Sequence, residues 1–292
     1  MDHDGGAFTP SPSRIVASWP AGTFVENIAV DAAGDLFVTV HNANKIVKVT
    51  PSTGAIAGFA NFPVPVAGVV FDAAGTLWVS GGTPGTAPGV IFQVSPAGVV
   101  SHWCDVPEAI FLNGMTLHPD GRHALVAESL LGQILEVDLH TPSVSVWLQD
   151  TMIAPRQMGQ TPGANGVKIT DGYVYVTVTE RDMMVRAPLD AAGRPGAIEI
   201  VAERLRGDDF AVGADGAFYV ATHPAHSLVR LEKDGSRTTL AGAEAGLAGA
   251  TAVAFGRMAA DADAVYVTTS GALFYPIDGV VQEARIVRGE VK

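Results

Sequence analysis

The sequence predicts an all-β fold, a six-bladed β-propeller of four-stranded antiparallel blades. Three observations carry that prediction: a phrase that recurs six times, the apolar runs that follow each copy, and a strand-like N-terminal segment that fills the one gap in the series. Each phrase opens on a variable residue, passes a small or polar residue into an apolar run, turns, usually at Gly, and ends in a second apolar run. The copies begin at Glu26, Ala67, Asn113, Asn165, Asp208 and Thr251, which lie 41, 46, 52, 43 and 43 residues apart. Self-similarity at that period marks a propeller, a solenoid or an array.

The elements follow in order. Within each phrase the first run opens at the variable residue, and the second runs are Leu36 to Val40, Leu77 to Val79, Ala124 to Ala127, Tyr173 to Val176, Phe218 to Ala221 and Val265 to Thr268. Third runs begin at Lys45, Val90, Gln133, Met183, Ser227 and Ala284. Fourth runs follow five of these, at Ala55, Val99, Val144, Ala197 (to Val201) and Thr238, and the sixth unit runs out of chain. Arg14 to Trp19 resembles the other fourth runs; set beside the last blade, it closes the ring and removes both open sheet edges. Asp31-Ala-Ala-Gly34, Asp72-Ala-Ala-Gly75, Pro119-Asp-Gly121, Asp171-Gly172 and Ala214-Asp-Gly216 are the hairpins of one face, because Asp and Gly tolerate positive φ. The longer connections, Gly81 to Gly89, Val106 to Leu112, Asp150 to Ala164 and Ser270 to Glu283, all fall on the opposite face, where a rigid scaffold carries function.

Length and composition agree with one domain over residues 1–292, with 1–13 as a flexible N-terminal segment. Hydrophobic content of 48% with 33 Gly and 18 Pro suits many short strands and tight turns. A net charge of −12 leaves no basic patch for phosphates, so the expected partner is a cation or a small molecule, not nucleic acid or an anionic membrane. No secretory signal is read in Met1 to Ser13, and no apolar run approaches the roughly 20 residues of a spanning helix. A single Cys104 forms no internal disulfide, which fits a reducing cytoplasm, and its neighbours Trp103 and Val106 mark it as a packed outer-strand residue.

First strands line the channel of a propeller, so the six phrase-opening residues surround one mouth on the loop-rich face. Glu26 and Asp208 there bring two negative charges, and Asn113 and Asn165 bring amide oxygens without further repulsion. Such hard donors suit Ca²⁺ first, with Mg²⁺ or Mn²⁺ as alternatives. Zn²⁺ ranks lower for want of a His-Glu-x-x-His or Cys pair, and His41 with His223 leaves room for Fe²⁺. Second strands return to the same mouth at His41, Glu128-Ser129, Thr179-Glu180, His223 and Ser270. Glu128, His41 and His223 are candidates for general acid, general base or substrate hydrogen bonding, against the alternative that each caps a strand end. His226 in a short turn, and His118 and His123 by an opposite-face hairpin, read as structural; His102 and His140 fall on outer strands or loops. A nucleophilic triad is not expected, since Ser129 lacks a Gly-x-Ser-x-Gly elbow. Phe111, Leu112, Met152, Met158, Leu273, Phe274 and Tyr275 are apolar for solvent-facing loops, and with Thr179 they either line a pocket for a partly apolar ligand or pack on one another.

The repeats from about Val25 to Val291, and above all Asn113-Gly-Met-Thr-Leu-His-Pro-Asp-Gly121, Asn165-Gly166 and the Asp208 phrase, resemble the regucalcin (senescence marker protein) and gluconolactonase family of six-bladed propellers. The resemblance implies a divalent metal held in the channel by Glu26, Asn165 and Asp208 with Asn113 close by, and Asp208 as general base. It implies a lactone or ester hydrolase. Phe111 stands where regucalcin-like members carry the Arg that binds sugar lactones, Asn113-Gly114 replaces an Asn-Asp pair, and Asp208-Asp209 replaces Asp-Gly; these changes fit a less polar substrate. Two alternatives share the architecture: a biosynthetic isomerase, cyclase or condensing enzyme of the strictosidine synthase-like type, and a non-catalytic metal- or ligand-binding propeller.

Overall fold

In the computed structural model, residues 13–157, 159 and 161–291 are described. The expected N-terminal segment, except Ser13, and Met158 lie outside them.

Six four-stranded antiparallel sheets succeed one another around a ring. Their inner strands are Val25–Val30, Val66–Phe71, Leu112–Leu117, Ala164–Thr170, Phe210–Val212 and Ala250–Phe255, each touching the next and the last touching the first. Arg14–Trp19 pairs with Ala284–Glu290 as the outer strand of blade six, so the sheet that contains the chain's last strand is completed by its first. The outer strand of blade four is Glu199–Glu203, not Ala197 to Val201. Leu189 bridges Pro195 and Gly196 N–H bonds Pro188 O, so the connection consumes those residues before pairing begins.

Alternation along each strand sends apolar side chains to both neighbouring blades, and six buried clusters result, one in each interblade seam. The seam between blades six and one, for instance, packs Val25, Val38 and Val49 against Ala252, Tyr266 and Ile286. Burying a Val, Leu, Ile or Phe side chain contributes about 1.5–3 kcal/mol, so the seams hold the ring together and leave its axis free for polar groups. The hairpins behave as expected: Asp31 Oδ1 accepts the N–H groups of Ala33 and Asp35 at 2.9 Å, and Gly34 takes φ +84°.

One feature of the inner strands was not expected. Val25 faces Val40 and Ile28 faces Val38, so Glu26 and Asn27 together oppose Thr39. The same register shift occurs in blades two, three, four and six. Each is a β-bulge, which breaks alternation and re-aims side chains. It also brings neighbouring inner strands close: a Cβ on Gly68 would lie 2.2 Å from Asn113 O, and one on Gly114 would lie 2.7 Å from Asn165 O. The Gly of Asn-Gly serves here for interstrand approach, within a strand and not in a turn. Hydroxyls stitch the bulges around the ring. Thr39 Oγ1 accepts Asn27 N–H and donates to Ala67 O, and Ser80 Oγ accepts Gly68 N–H and donates to Asn113 O. Thr177 repeats the pattern with Gly166 N–H and Asp208 O.

Candidate functional site

A cavity of about 550 Å³ opens on the loop-rich face. Glu26, Asn113, Asn165, Asp208 and His223 line it and are 1–7% exposed, so they form its inner end. Phe274 and Tyr275, 56% and 39% exposed, stand at its mouth. All four long connections contribute, through Pro84, Phe111, Pro162 and Phe274 among others, and no Lys or Arg lines the cavity among the described residues. Of the remaining sequence candidates, His41 and Thr179 also line it.

The asparagines are oriented by hydroxyls. Ser129 Oγ donates its one proton to Ala164 O at 2.6 Å, so toward Asn113 it acts as acceptor, and the Asn113 amide nitrogen takes that place at 3.3 Å. Thr179 Oγ1 likewise donates to Gly207 O at 2.7 Å and accepts Asn165 Nδ2–H at 3.0 Å. In both blades the amide nitrogen is therefore tied back and the amide oxygen is left over. Asn113 Oδ1 is in fact buried without a partner, and so is Glu26 Oε2. Two orphaned buried oxygens, with the carboxylate of Asp208 and a second oriented amide, are the donor set a hard divalent cation requires. The residues fit such an ion.

Burial dominates the electrostatics. It pushes the Glu26 carboxyl well above its ordinary range, with the neighbouring Asp208 charge adding to the effect. It does the same to Asp208, helped by Asp209, while the Asn165 side chain pulls the other way. His223 is pushed down to about 4 by burial, against the attraction of Glu26. These shifts share one leading cause, the cost of burying charge at the closed inner end.

His223 has both nitrogens engaged: Nδ1 lies 3.2 Å from Asp208 Oδ2, and Nε2 lies 2.9 Å from Ser270 Oγ. The connectivity is that of a Ser-His-Asp triad, yet Ser270 is fully buried and does not line the cavity, so its hydroxyl holds the imidazole and meets no substrate. His41 differs. Its Nδ1 faces Val66 O at 3.0 Å, which fixes the proton on Nδ1 and leaves Nε2 as a base, and burial lowers its pKa.

Two candidates stand elsewhere. Glu128 does not line the cavity; its Oε1 accepts the N–H groups of Ile110 and Phe111, and its Oε2 those of Leu130 and Leu131. It anchors the connections that carry Phe111 and Leu130 to the wall, a strand-end cap in place of an acid or base. Met152 packs against the seam between blades three and four, not the cavity. Met158 lies outside the described residues.

Phe24 was missed by the sequence reading. Its ring lies edge-on to His41 at 5.3 Å and to Phe274 at 5.2 Å, and stacks on His223 at 5.9 Å, centroid to centroid. The signal was present: Phe24 precedes Glu26 by two residues, as Phe111 precedes Asn113. Asp209 was read only as a changed neighbour of Asp208. It is buried, takes Lys168 Nζ at 2.6 Å and Asn27 Nδ2 at 3.0 Å, and so ties blades five, four and one beneath the site. A Cβ on Gly166 would lie 2.8 Å from Asp209 Cα, so the lock requires that glycine.

Among solved structures, a luciferin-regenerating enzyme superposes with TM-score 0.71 at 14% identity, over 97% of this chain and 96% of that one. A calcium-binding regucalcin of Agrobacterium tumefaciens gives 0.69 at 17% identity, over 96% and 95%. The fold is that of the regucalcin- and gluconolactonase-like propellers. By sequence, a Phoma sp protein assigned as a hetero-Diels-Alderase is 22% identical over 90% of this chain and 88% of its own length. No protein-family model matches the chain. No helix among the described residues is long and apolar enough to cross a membrane.

Proposed function

We propose that the chain is a hydrolase of lactones or related esters with apolar substituents, working with a divalent cation, Ca²⁺ foremost. The observation that carries the reading is the pair of buried, unpartnered oxygens, Glu26 Oε2 and Asn113 Oδ1, on the inner end of a cavity with aromatic walls. Glu26, Asn113, Asn165 and Asp208 would hold the cation, which when bound supplies Lewis-acid polarisation of a carbonyl. The chain's own residues do the rest. Phe24, Phe111 and Phe274 seat the apolar body and keep bulk water from the inner end. Asp208 takes a proton from water as the water oxygen bonds to the carbonyl carbon, and gives it to the ring oxygen as the C–O bond breaks. Ser270 and His223 hold Asp208 in place for that transfer, and His41 Nε2 stands ready to accept a hydrogen bond from the substrate.

Hydrolysis of a panel of polar and apolar lactones, followed by pH-stat on chelator-stripped protein before and after metal addition, tests this reading. Activity restored by one metal and abolished in Asp208→Ala supports it; near-normal turnover in Asp208→Ala removes the mechanism. A second reading is favoured by the aromatic walls together with the 22% identical relative's assignment as a hetero-Diels-Alderase: cyclisation of an apolar intermediate in the same cavity. Product mass separates the two, because hydrolysis adds one water and cyclisation adds none.

A further inference from the structure

On the face opposite the cavity, the hairpin of blade three reads His118-Pro-Asp-Gly-Arg-His123. Among the described residues, it holds the one group of three His, Cys, Asp or Glu whose donor atoms all lie within 4.8 Å of one another: His118, Asp120 and His123. The cavity carboxylates do not form such a group.

The geometry of these side chains goes beyond a turn. Asp120 Oδ1 alone shapes the turn, accepting the N–H groups of Arg122 at 2.9 Å and His123 at 3.0 Å. Its Oδ2 is left to the imidazoles, 2.6 Å from His123 Nδ1 and 3.1 Å from His118 Nδ1. His118 Nδ1 faces both the Asp120 backbone nitrogen at 3.3 Å and Asp120 Oδ2 at 3.1 Å, so the two imidazole Nδ1 atoms converge on one carboxylate oxygen. The His118 ring is also held in place: its side chain is 10% exposed, and a Cβ on Gly193 would meet its Cε1 and Nε2 at 2.8 Å. The packed ring keeps Nδ1 directed at Asp120, so one donor is preorganised before any ligand arrives. His118 Nε2 is buried without a partner, so the ring's polar contacts are all made through Nδ1, on the side of Asp120.

We propose that His118, Asp120 and His123 form a metal site for Zn²⁺ or a similar imidazole-preferring divalent ion, with water completing the coordination. Two imidazoles and one carboxylate are a borderline-soft N,N,O set, whereas the buried, unpartnered donors of the cavity, Glu26 Oε2 and Asn113 Oδ1, are oxygens. The two faces therefore sort metals by chemistry, Zn²⁺ to the hairpin and Ca²⁺ to the cavity. The consequence for any metal screen is direct: Zn²⁺ added to stripped protein binds first where it has no bearing on turnover.

The test is calorimetric titration of the full-length, chelator-stripped protein with Zn²⁺ alone. Wild type and Glu26→Gln are expected to bind equally at the hairpin, while His123→Gln and Asp120→Asn each bind at least about tenfold more weakly, as loss of a ligand should exceed the 10–100-fold effect of losing a residue that merely supports one. Asp120→Asn keeps the oxygen that shapes the turn, so a loss there is not a loss of folding. Unchanged affinity and stoichiometry in both variants overturn the site. A measurement that needs no variant is the anomalous difference map of crystals grown with Zn²⁺: a peak between His118 and His123 is expected, and its absence overturns the proposal.

Discussion

Lys168 and Asp209 meet at 2.6 Å beneath the site, with side-chain exposures of 23% and 5%. Replacing Lys168 with Met keeps an apolar stem over the Phe210 ring but strands the Asp209 carboxylate. Breaking a fully buried pair costs about 3–5 kcal/mol. Two features reduce that here: the ammonium is partly in water, and Asp209 keeps Asn27 Nδ2 at 3.0 Å and Phe210 N–H at 2.7 Å. The expected loss is about 2 kcal/mol, or about 4 °C in melting temperature for a chain of this size. In Lys168→Met/Asp209→Asn no charge is left unpaired, so the double variant should recover about 1–2 kcal/mol relative to the sum of the single losses. Urea denaturation of the four proteins of the cycle measures this. A Lys168→Met loss below about 0.5 kcal/mol, or additivity within about 0.3 kcal/mol, refutes the view that the channel is closed by a coupled charge pair.

Glu26 and Asp208 have folded-state pKa values raised above the unfolded ones, so their contribution to stability is complete below the ordinary carboxyl range near 4 and is lost as pH rises through the folded values. Chelated protein should therefore lose melting temperature as pH climbs past that range, Ca²⁺ should restore it, and Glu26→Gln should weaken both responses, leaving the part of the pH response that belongs to Asp208; a Ca²⁺ shift undiminished in Glu26→Gln sinks the metal assignment. Thr179→Val and Ser129→Ala release the amides of Asn165 and Asn113 and should each weaken Ca²⁺ binding about tenfold by titration calorimetry, whereas unchanged affinity would mean that the hydroxyls do not orient the donors. Burial and Asp105 push the Cys104 thiol up to about 11, so iodoacetamide at pH 8 should label it about 100-fold more slowly than free cysteine; labelling at the free rate would place that thiol in water.

The ring was legible because its cause is periodic. Six seams need apolar residues at the same phase of every blade, and Arg14–Trp19 announced itself as the missing outer strand by matching that phase. The phrase-opening residues were legible for the same reason: Glu26, Asn113, Asn165 and Asp208 are polar where the fold needs no polarity. Glu128 and Met152 were misplaced because their phase fixes only the end of the ring at which they lie. Glu128 sits at a strand end where a carboxylate can serve substrate or backbone, and four nearby N–H groups settled it.

What the repeat could not show is pairing across it. In the phrase's second position, blades two, three and four carry Gly68, Gly114 and Gly166, and blade six carries Ala252, because neighbouring strands approach too closely there for a larger side chain. Asn27 and Asp209 break that rule, and each would be a liability alone: a buried amide without an acceptor, a buried carboxylate without a donor. Together they satisfy each other, and Lys168, on the adjoining inner strand of blade four, supplies the compensating charge. Glu26, Asp208 and Asp209 against Lys168 leave two net negative charges around the inner end when all four are ionised, the balance a divalent cation neutralises. The exceptions to the repeat thus close the channel and set the charge of the chamber above it, which makes departures from periodicity the more informative place to look for function in a fold whose regularities serve packing.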